Sequence, residues 1–310
     1  MSTPAPPSTP AVGIDIGGSG VRGASLDGAG RLTGRASSPL DGMMTRERLL
    51  AEIASVTDAA LRMGAACERV PSAVGVAIPA FVDDGGRILH SVNLPHLEGV
   101  QLAEALAPVT AGATVRVMPD IAAAALAESQ LGAGRGHRRV LCVALGTGAN
   151  AALVADGQLI ESAHGSFGDA GHVMVDPDGP ECACGGRGCL EALASGVALR
   201  REAQALGLSD GADLSAAACA GDPRAVAVLA RTGTMLGRAI AIWSVICFPD
   251  VVTIAGGLAR AGELLLAPAR RELARVAPPY VTGGLRVVPA NLGIDATLVG
   301  AALAARKRAP

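Results

Sequence analysis

The sequence has few aromatic residues, no excess of one charge and no long run of uncharged apolar residues. Its 310 residues include one Trp, one Tyr and three Phe, so Ala, Val, Leu and Ile must build the core. The 26 basic and 28 acidic residues nearly cancel, which argues against a nucleic-acid surface. A membrane span needs about eighteen or more apolar residues, so we expect none. The first ten residues lack a basic start and an apolar stretch, and are typical of a disordered tail, not a signal peptide.

Cysteine is concentrated in one short stretch. Three of the seven cysteines, Cys182, Cys184 and Cys189, lie among glycines, and His172 lies ten residues upstream. Zinc in structural sites binds four nitrogen or sulfur ligands, and glycines allow a loop to wrap closely around the ion. The sequence therefore predicts a closed, structural Cys3His zinc site in a loop over residues 172–189. The alternative is a flexible loop in which three reduced cysteines lie near an unrelated histidine.

Two glycine-rich hairpins share one pattern and lie about 130 residues apart. Each has an apolar strand, a glycine tip with one hydroxyl residue, a returning strand and an Asp-Gly turn. The tips are Gly17-Gly18-Ser19 and Gly146-Thr147-Gly148. Backbone amides at such a tip can bind phosphate oxygens, although most glycine-rich hairpins are only hairpins. The repetition indicates a duplicated domain, in which two facing tips would hold a polyphosphate from both sides.

The stretch around the cysteines resembles the signature of a known family. It has the pattern H-x9-C-x-C-G-x2-G-C-L-E, preceded by G-x-x-G-H. This pattern is similar to that of the ROK family, named for repressors, open reading frames and kinases. The resemblance covers nearly the whole chain and implies an α/β fold of the actin-like ATPase and sugar kinase type, with two duplicated α/β domains and an interdomain cleft. We expect an N-terminal domain at 11–119 with the C-terminal helix 295–310, and a C-terminal domain at 120–294.

The resemblance also implies which side chains bind a sugar. In the family the zinc loop fixes residues around a bound sugar, so His172 would serve both zinc and sugar. The other implied sugar contacts are Asn93, Asp120, Asp169 and Glu191. The family usually has Glu where this chain has Asp169, which is one methylene shorter. Without the resemblance, Asn93 is interpreted as a turn residue before a proline.

Nucleotide contacts are implied in both domains. The two glycine tips would bind the phosphates of ATP, and Asp15 would orient water on Mg2+. A later pair, Gly256-Gly257, would approach the adenosine, where any side chain would collide. The alternative for this pair is a plain strand-to-helix turn. After the second tip the family has more glycine than this chain, which has Ala149-Asn150-Ala151.

Asp120 lies between the predicted strand Val115–Met118 and an alanine-rich helix at Ile121–Gln130. As a structural residue it would be the helix N-cap. As a catalytic residue it would be the general base, which accepts the proton of the sugar hydroxyl as that oxygen attacks the terminal phosphate. The two roles are compatible, because a helix N-terminus favours the ionised carboxylate. The family has Asn in place of Pro119, and a proline side chain cannot bind a hydroxyl.

These features predict an ATP- and Mg2+-dependent hexose kinase, with glucose as the expected acceptor. N-acetylmannosamine, N-acetylglucosamine and fructose are acceptors of relatives with similar motifs. The departures at Pro119, Ala122 and Asp169 leave a catalytically weak sugar sensor open. The opening G-I-D-I-G-G-S-G-V-R-G-A also resembles polyphosphate-using glucokinases. A repressor is not expected, because only a proline-rich tail precedes the first strand.

Location and assembly are predicted more coarsely. Clustered cysteines fit a reducing compartment better than a disulfide framework, so we expect a cytoplasmic protein. The family resemblance implies a homodimer. We expect a small-molecule sugar substrate and neither nucleic-acid nor membrane partners.

Overall fold

The computed structural model describes residues 10–41, 44–67, 71–162 and 167–306. Its strands are β1 (Ala11–Gly17), β2 (Gly20–Leu26), β3 (Leu32–Pro39), β4 (Ala73–Ile78), β5 (Phe81–Val82), β6 (Ile88–His90), β7 (Thr114–Pro119), β8 (Arg139–Leu145), β9 (Ala149–Ala155), β10 (Gln158–Ile160), β11 (Val251–Ala255) and β12 (Arg286–Pro289). Its α-helices are α1 (Arg46–Cys67), α2 (Leu102–Thr110), α3 (Asp120–Gln130), α4 (Leu190–Ala194), α5 (Gly196–Ala205), α6 (Gly211–Cys219), α7 (Pro223–Cys247), α8 (Glu263–Val276), α9 (Pro279–Thr282) and α10 (Ala296–Arg306). The expected tail at residues 1–10 lies, except for Pro10, outside the described residues.

The chain folds into two compact units. The first consists of residues 1–131, 158–168 and 294–310, and the second of residues 132–157 and 169–293. The predicted boundary after residue 119 would put α3 in the second domain, whereas α3 belongs to the first unit. The reason is packing against α10: a Cβ atom added to Gly300 would lie only 1.7 Å from the Ala123 carbonyl oxygen.

The sheet of the first unit has the strand order β3-β2-β1-β4-β7. β1 is antiparallel to β2 and parallel to β4, and β4 is parallel to β7. Every residue of β4 is buried, as expected for a parallel strand covered on both faces. The helix α10 packs directly on the backbone of this strand, because a Cβ on Gly75 would lie 1.8 Å from the Ala301 carbonyl oxygen. The C-terminal helix thus joins the N-terminal unit, as the sequence predicted.

The second unit repeats this pattern. β8 is antiparallel to β9 and parallel to β11, and β11 is parallel to β12. Each unit therefore begins with an antiparallel hairpin. The first strand of the hairpin is also parallel to a later strand, and that strand is parallel to a third, which agrees with the predicted duplication. The helices α7 and α8 pack against each other, and the single Trp243 is buried on α7.

By length and composition, α7 could also cross a membrane. It is the only such helix among the described residues, and 56% of its apolar window is buried inside the structure. Its buried side packs on α8, α6 and α4, which is the arrangement of a core helix.

Candidate active site

The first glycine tip joins β1 to β2. Gly17 pairs with Gly20 across the hairpin, and the two residues between them, Gly18 and Ser19, are exposed. Consecutive exposed backbone amides with little side-chain bulk suit phosphate oxygens. The tip therefore lies where the sequence predicted it, at the turn of a hairpin.

Asp15 lies two residues before this tip and directly opposite Arg22 in the β1–β2 register. The Arg22 Nε atom donates to Asp15 Oδ2 at 3.1 Å, and Nη2 donates to the same oxygen and to the Ile294 carbonyl oxygen. The Asp15 side chain is 13% exposed and that of Arg22 is 36% exposed. Arg22 was not predicted from the sequence, although the hairpin register on either side of the glycine tip pairs it with Asp15.

Asp120 is the first residue of α3 and follows β7 directly. The predicted N-cap role is wrong by one residue: Pro119 occupies the N-cap, and the Asp120 carboxylate accepts the Ile121 N–H at 2.7 Å. Loss of hydration and, to a smaller extent, the negative charge of Asp15 raise the pKa of Asp120 to about 6, although the hydrogen bond from the Ile121 N–H lowers it. At neutral pH this carboxylate is ionised but is a stronger base than an ordinary aspartate.

Asn93 lies in the exposed segment after β6. A Cβ on Gly18 would lie 3.7 Å from the Asn93 Cβ atom, so the side chain is next to the first glycine tip. The neighbouring turn is fixed by Ser91, whose hydroxyl accepts the Leu94 N–H at 3.1 Å and donates to the Pro79 carbonyl oxygen at 2.8 Å. The structure therefore brings Asn93 close to the first tip within one unit.

The second glycine tip joins β8 to β9. It is closed by a hydrogen bond from the Gly146 N–H to the Gly148 carbonyl oxygen at 3.0 Å, and Thr147 is exposed. The start of α5 supports it, because the Gly196 N–H donates to the Gly146 carbonyl oxygen at 2.7 Å. The tip is therefore a fixed turn.

Two carboxylates and one imidazole lie together in the second unit. His172 Nε2 is 3.5 Å from Asp169 Oδ2 and 4.0 Å from Glu191 Oε1. Glu191 Oε2 also accepts the Ala149 N–H at 3.0 Å, which ties the carboxylate to the strand after the second tip. Asp169 is the most exposed of the three, with 46% of its side chain accessible. These three residues (Asp169, His172 and Glu191), called the sugar cluster after the contacts predicted from the sequence, present carboxylate oxygens and one imidazole nitrogen for hydrogen bonds.

The same imidazole faces the cysteines with its other nitrogen. His172 Nδ1 is 3.4 Å from Cys182 Sγ, and Cys184 Sγ is 3.7 Å from Cys189 Sγ. All four potential ligand atoms lie within 4.8 Å of one another. Zinc–sulfur and zinc–nitrogen bonds of about 2.3 and 2.0 Å place tetrahedral ligands about 3.5–3.8 Å apart. The Cys3His cluster (His172, Cys182, Cys184 and Cys189) therefore fits a metal ion of this kind.

The two glycines of the predicted pair, Gly256 and Gly257, have different surroundings. Gly256 has φ +91°, and a Cβ there would lie 2.2 Å from the Leu145 carbonyl oxygen, so a side chain is excluded by the protein itself. A Cβ on Gly257, which begins a short 3-10 helix over Gly257–Ala261, would meet nothing within 4 Å. The strand-to-helix turn accounts for Gly256, and open space is present only at Gly257.

A second residue was missed by the sequence analysis. Asn150, at the start of β9, accepts the Ala170 N–H at 3.2 Å with its side-chain oxygen. No local pattern indicates this bond, because its partner lies twenty residues away. The only signal was that Asn150 lies in the stretch Ala149–Ala151, where the family resemblance implies more glycine.

Two α/β units of one strand pattern, each with a glycine tip after its first strand, define the class of actin-like ATPase folds. The model of the ROK family matches residues 11–308. The chain therefore belongs to the ROK family.

Similar proteins include kinases from three bacteria. A glucokinase of Thermotoga maritima is 36% identical over 252 residues, which are 76% of this chain and 79% of the relative. The ROK hexokinase of Thermus thermophilus has a TM-score of 0.81 at 31% identity, over 96% of this chain and 98% of that chain. A ROK family glucokinase from Streptomyces griseus, solved in complex with glucose and AMPPNP, has a TM-score of 0.79 at 30% identity, over 96% of this chain and 99% of that chain.

Proposed function

We propose that this protein is a hexose kinase that transfers the terminal phosphoryl group of ATP to glucose. The proposal rests on the surroundings of Asp120. This carboxylate is half-buried, its pKa is raised to about 6, and it is close enough to Asp15, beside the first glycine tip, to be repelled by the Asp15 charge. The similarity to ROK glucokinases supports the same reaction.

In this proposal Asp120 accepts the proton of the sugar hydroxyl while that oxygen forms a bond to the terminal phosphorus of ATP. The bond from that phosphorus to the bridging oxygen breaks, and its electrons leave with ADP. With a pKa of about 6, the carboxylate is mostly ionised at neutral pH and still binds a proton more strongly than an ordinary aspartate. Little covalent chemistry remains for the protein, so positioning and charge neutralisation supply most of the catalysis.

The phosphates are assigned to the two glycine tips. Gly17, Gly18 and Ser19 lie in the first unit, and Gly146, Thr147 and Gly148 in the second. Asp15 would orient water on Mg2+, and when bound the ion would neutralise charge on the phosphates. Gly257 is assigned to the adenosine, because open space lies next to it.

The sugar is assigned to Asn93 in the first unit and to the sugar cluster in the second. Zinc in the Cys3His cluster would hold the His172 ring through Nδ1 and leave Nε2 for Asp169, Glu191 and the sugar. Four protein ligands close the metal site, so zinc would stabilise the loop and take no part in the reaction.

The same chain would form a homodimer in the cytoplasm. Phe248 and Tyr280, two of the five aromatic residues, are 51% and 72% exposed and stack with ring centroids 6.5 Å apart. Ile246 nearby in sequence is 70% exposed. Exposed aromatic and branched side chains grouped in this way are typical of protein interfaces. Light scattering should give twice the chain mass for wild type and less for Ile246→Asp.

A coupled assay with ATP and Mg2+ against glucose, fructose, N-acetylmannosamine and N-acetylglucosamine tests the proposed reaction. Asp120→Asn should lose about 10²–10⁴-fold in kcat with zinc content unchanged. Asp213→Asn, at an exposed aspartate of α6, is the matched control and should be fully active. Turnover of another sugar would correct the acceptor, and turnover with polyphosphate alone would correct the donor. Sugar binding without any turnover would refute the proposed kinase activity and favour the alternative of a catalytically weak sugar sensor.

A further inference from the structure

Asn150 connects the second glycine tip to the turn that carries two members of the sugar cluster. It is half-buried at the second position of β9, two residues after Gly148. Its Oδ1 atom accepts two backbone N–H groups, from Ala151 at 2.8 Å and from Ala170 at 3.2 Å. The second bond reaches the short 3-10 helix Ala170–His172, directly after Asp169.

This bond fixes one side of the peptide group between Asp169 and Ala170. The other side is also held, because the Asp169 carbonyl oxygen accepts the His172 N–H at 3.1 Å. With both its N–H and its C=O engaged, the peptide plane cannot rotate without losing a hydrogen bond. The direction of the Asp169 side chain depends on that plane. Asp169 makes no side-chain cap bond of its own to the 3-10 helix, so its direction depends on this anchoring and on His172 Nε2, which lies 3.5 Å from Asp169 Oδ2.

The residue before Asn150 anchors the rest of the sugar cluster. A Cβ on Gly171 would lie 1.8 Å from the Ala149 carbonyl oxygen, so the turn lies directly against the strand. The Ala149 N–H donates to Glu191 Oε2 at 3.0 Å. The first two residues of β9 therefore hold Asp169, the backbone beside His172, and Glu191 at once.

We propose that Asn150 is a positioning residue for sugar recognition, which sets the place of the Asp169 carboxylate through the Ala170 N–H. The inference rests on the proposed function, because it assumes that Asp169 contacts the sugar. A glycine at this position would leave the Ala170 N–H without its side-chain acceptor. Asn150 therefore supplies an anchor for a carboxylate that is one methylene shorter than glutamate.

Sugar binding by Asn150→Ala and Asn150→Asp tests the role. Loss of one neutral hydrogen bond should raise the dissociation constant for glucose about five- to tenfold in the Ala variant, as measured by calorimetry. The Asp variant keeps an acceptor oxygen at the same side-chain length and should stay within about threefold of wild type. The KM for ATP and the zinc content should be unchanged in both. Gln204→Ala, at an exposed amide of α5, is the matched control.

Hydrogen exchange at the Ala170 amide gives a readout that does not need the sugar or the reaction. The amide should exchange faster in Asn150→Ala than in wild type, and Asn150→Asp should restore its protection. Unchanged exchange in the Ala variant, or a glucose dissociation constant within twofold of wild type, would overturn the inference. So would a loss of glucose affinity that occurs only together with loss of zinc. If wild type binds another hexose of the panel and not glucose, the proposed acceptor is wrong, and that hexose replaces glucose in the same comparison.

Discussion

The pKa of Asp120 makes a quantitative prediction about the pH dependence of the enzyme. With a pKa of about 6, the carboxylate is ionised in about 90% of molecules at pH 7 and in about 10% at pH 5. Since only the ionised form of the proposed base can accept the sugar proton, kcat/KM should fall about tenfold between pH 7 and pH 5. An aspartate at its ordinary value of 3.8 would lose almost nothing over that range.

The same shift predicts a cost in stability with a definite sign. A carboxyl group whose pKa is higher in the folded than in the unfolded protein destabilises the fold above the folded value. The cost disappears as pH falls below the unfolded value. A shift from 3.8 to about 6 corresponds to at most about 3 kcal/mol at neutral pH. Asp120→Asn should therefore raise the free energy of unfolding at pH 8 while abolishing most activity, and should change it much less at pH 4.

Three measurements separate this reasoning from its alternatives. Carbon-13 NMR of labelled aspartates gives the pKa of Asp120 in the substrate-free protein, and kcat/KM against pH gives the value that limits catalysis. Asp15→Asn should lower the pKa of Asp120 but leave it above 3.8, because loss of hydration is the larger cause. A kcat/KM that is flat down to pH 5, or an Asp120 that titrates near 4, would refute the assignment of the base.

Other consequences of the structure can be measured directly. Glu272 is paired with Arg275 and Arg238, which lower its pKa to about 2, so its stabilising effect is present above about pH 4.5 and is lost as pH falls toward 2. Glu272→Gln should cost up to about 3 kcal/mol in urea unfolding at pH 7 and little at pH 2.5, and equal costs at both would contradict the pairing. If the Cys3His cluster holds the proposed zinc, a chelator should lower the melting temperature and weaken sugar binding, while nucleotide binding is retained. Unchanged sugar binding after loss of zinc would show that the cluster does not support the sugar site. Gly256→Ala should destabilise the fold, whereas Gly257→Ala should fold normally and raise the KM for ATP, and the reverse pattern would show that the two roles are exchanged.

Strands next to a marked turn were predictable from the sequence. The first strands of the two hairpins, β1 and β8, end at or directly before the predicted glycine tips, and β7 begins and ends within one residue of the predicted strand Val115–Met118. The helices α2 and α8 were missed, and each contains a proline, Pro108 and Pro268. Proline inside a helix removes a hydrogen bond and normally ends the pattern. For α8, packing against α7 outweighs that local cost. Tertiary packing of this kind cannot be predicted from a local sequence pattern.

The candidate site was predictable where its chemistry restricts the residue type. Thiols and an imidazole near glycines indicate a metal wherever they occur at this spacing, and the structure brings all four ligand atoms together. Arg22 and Asn150 were missed for a different reason. Arginine and asparagine are common surface residues, and their roles depend on strand register and on a backbone partner far away in sequence. Such roles become visible only when the fold is known.

Two of the departures from the family pattern, Pro119 and Asp169, should affect sugar recognition more than catalysis. Pro119 lies on β7, an edge strand, where a missing N–H is tolerated, and its fixed backbone angle still delivers Asp120 to the start of α3. The proposed base is therefore kept, whereas the hydroxyl-binding Asn that the family resemblance implies is replaced. Asp169 is shorter than glutamate, but its peptide group is held on both sides by Asn150 and His172. A sugar bound to this protein would thus depend less on the residue before the base and more on the β9 segment that anchors the sugar cluster.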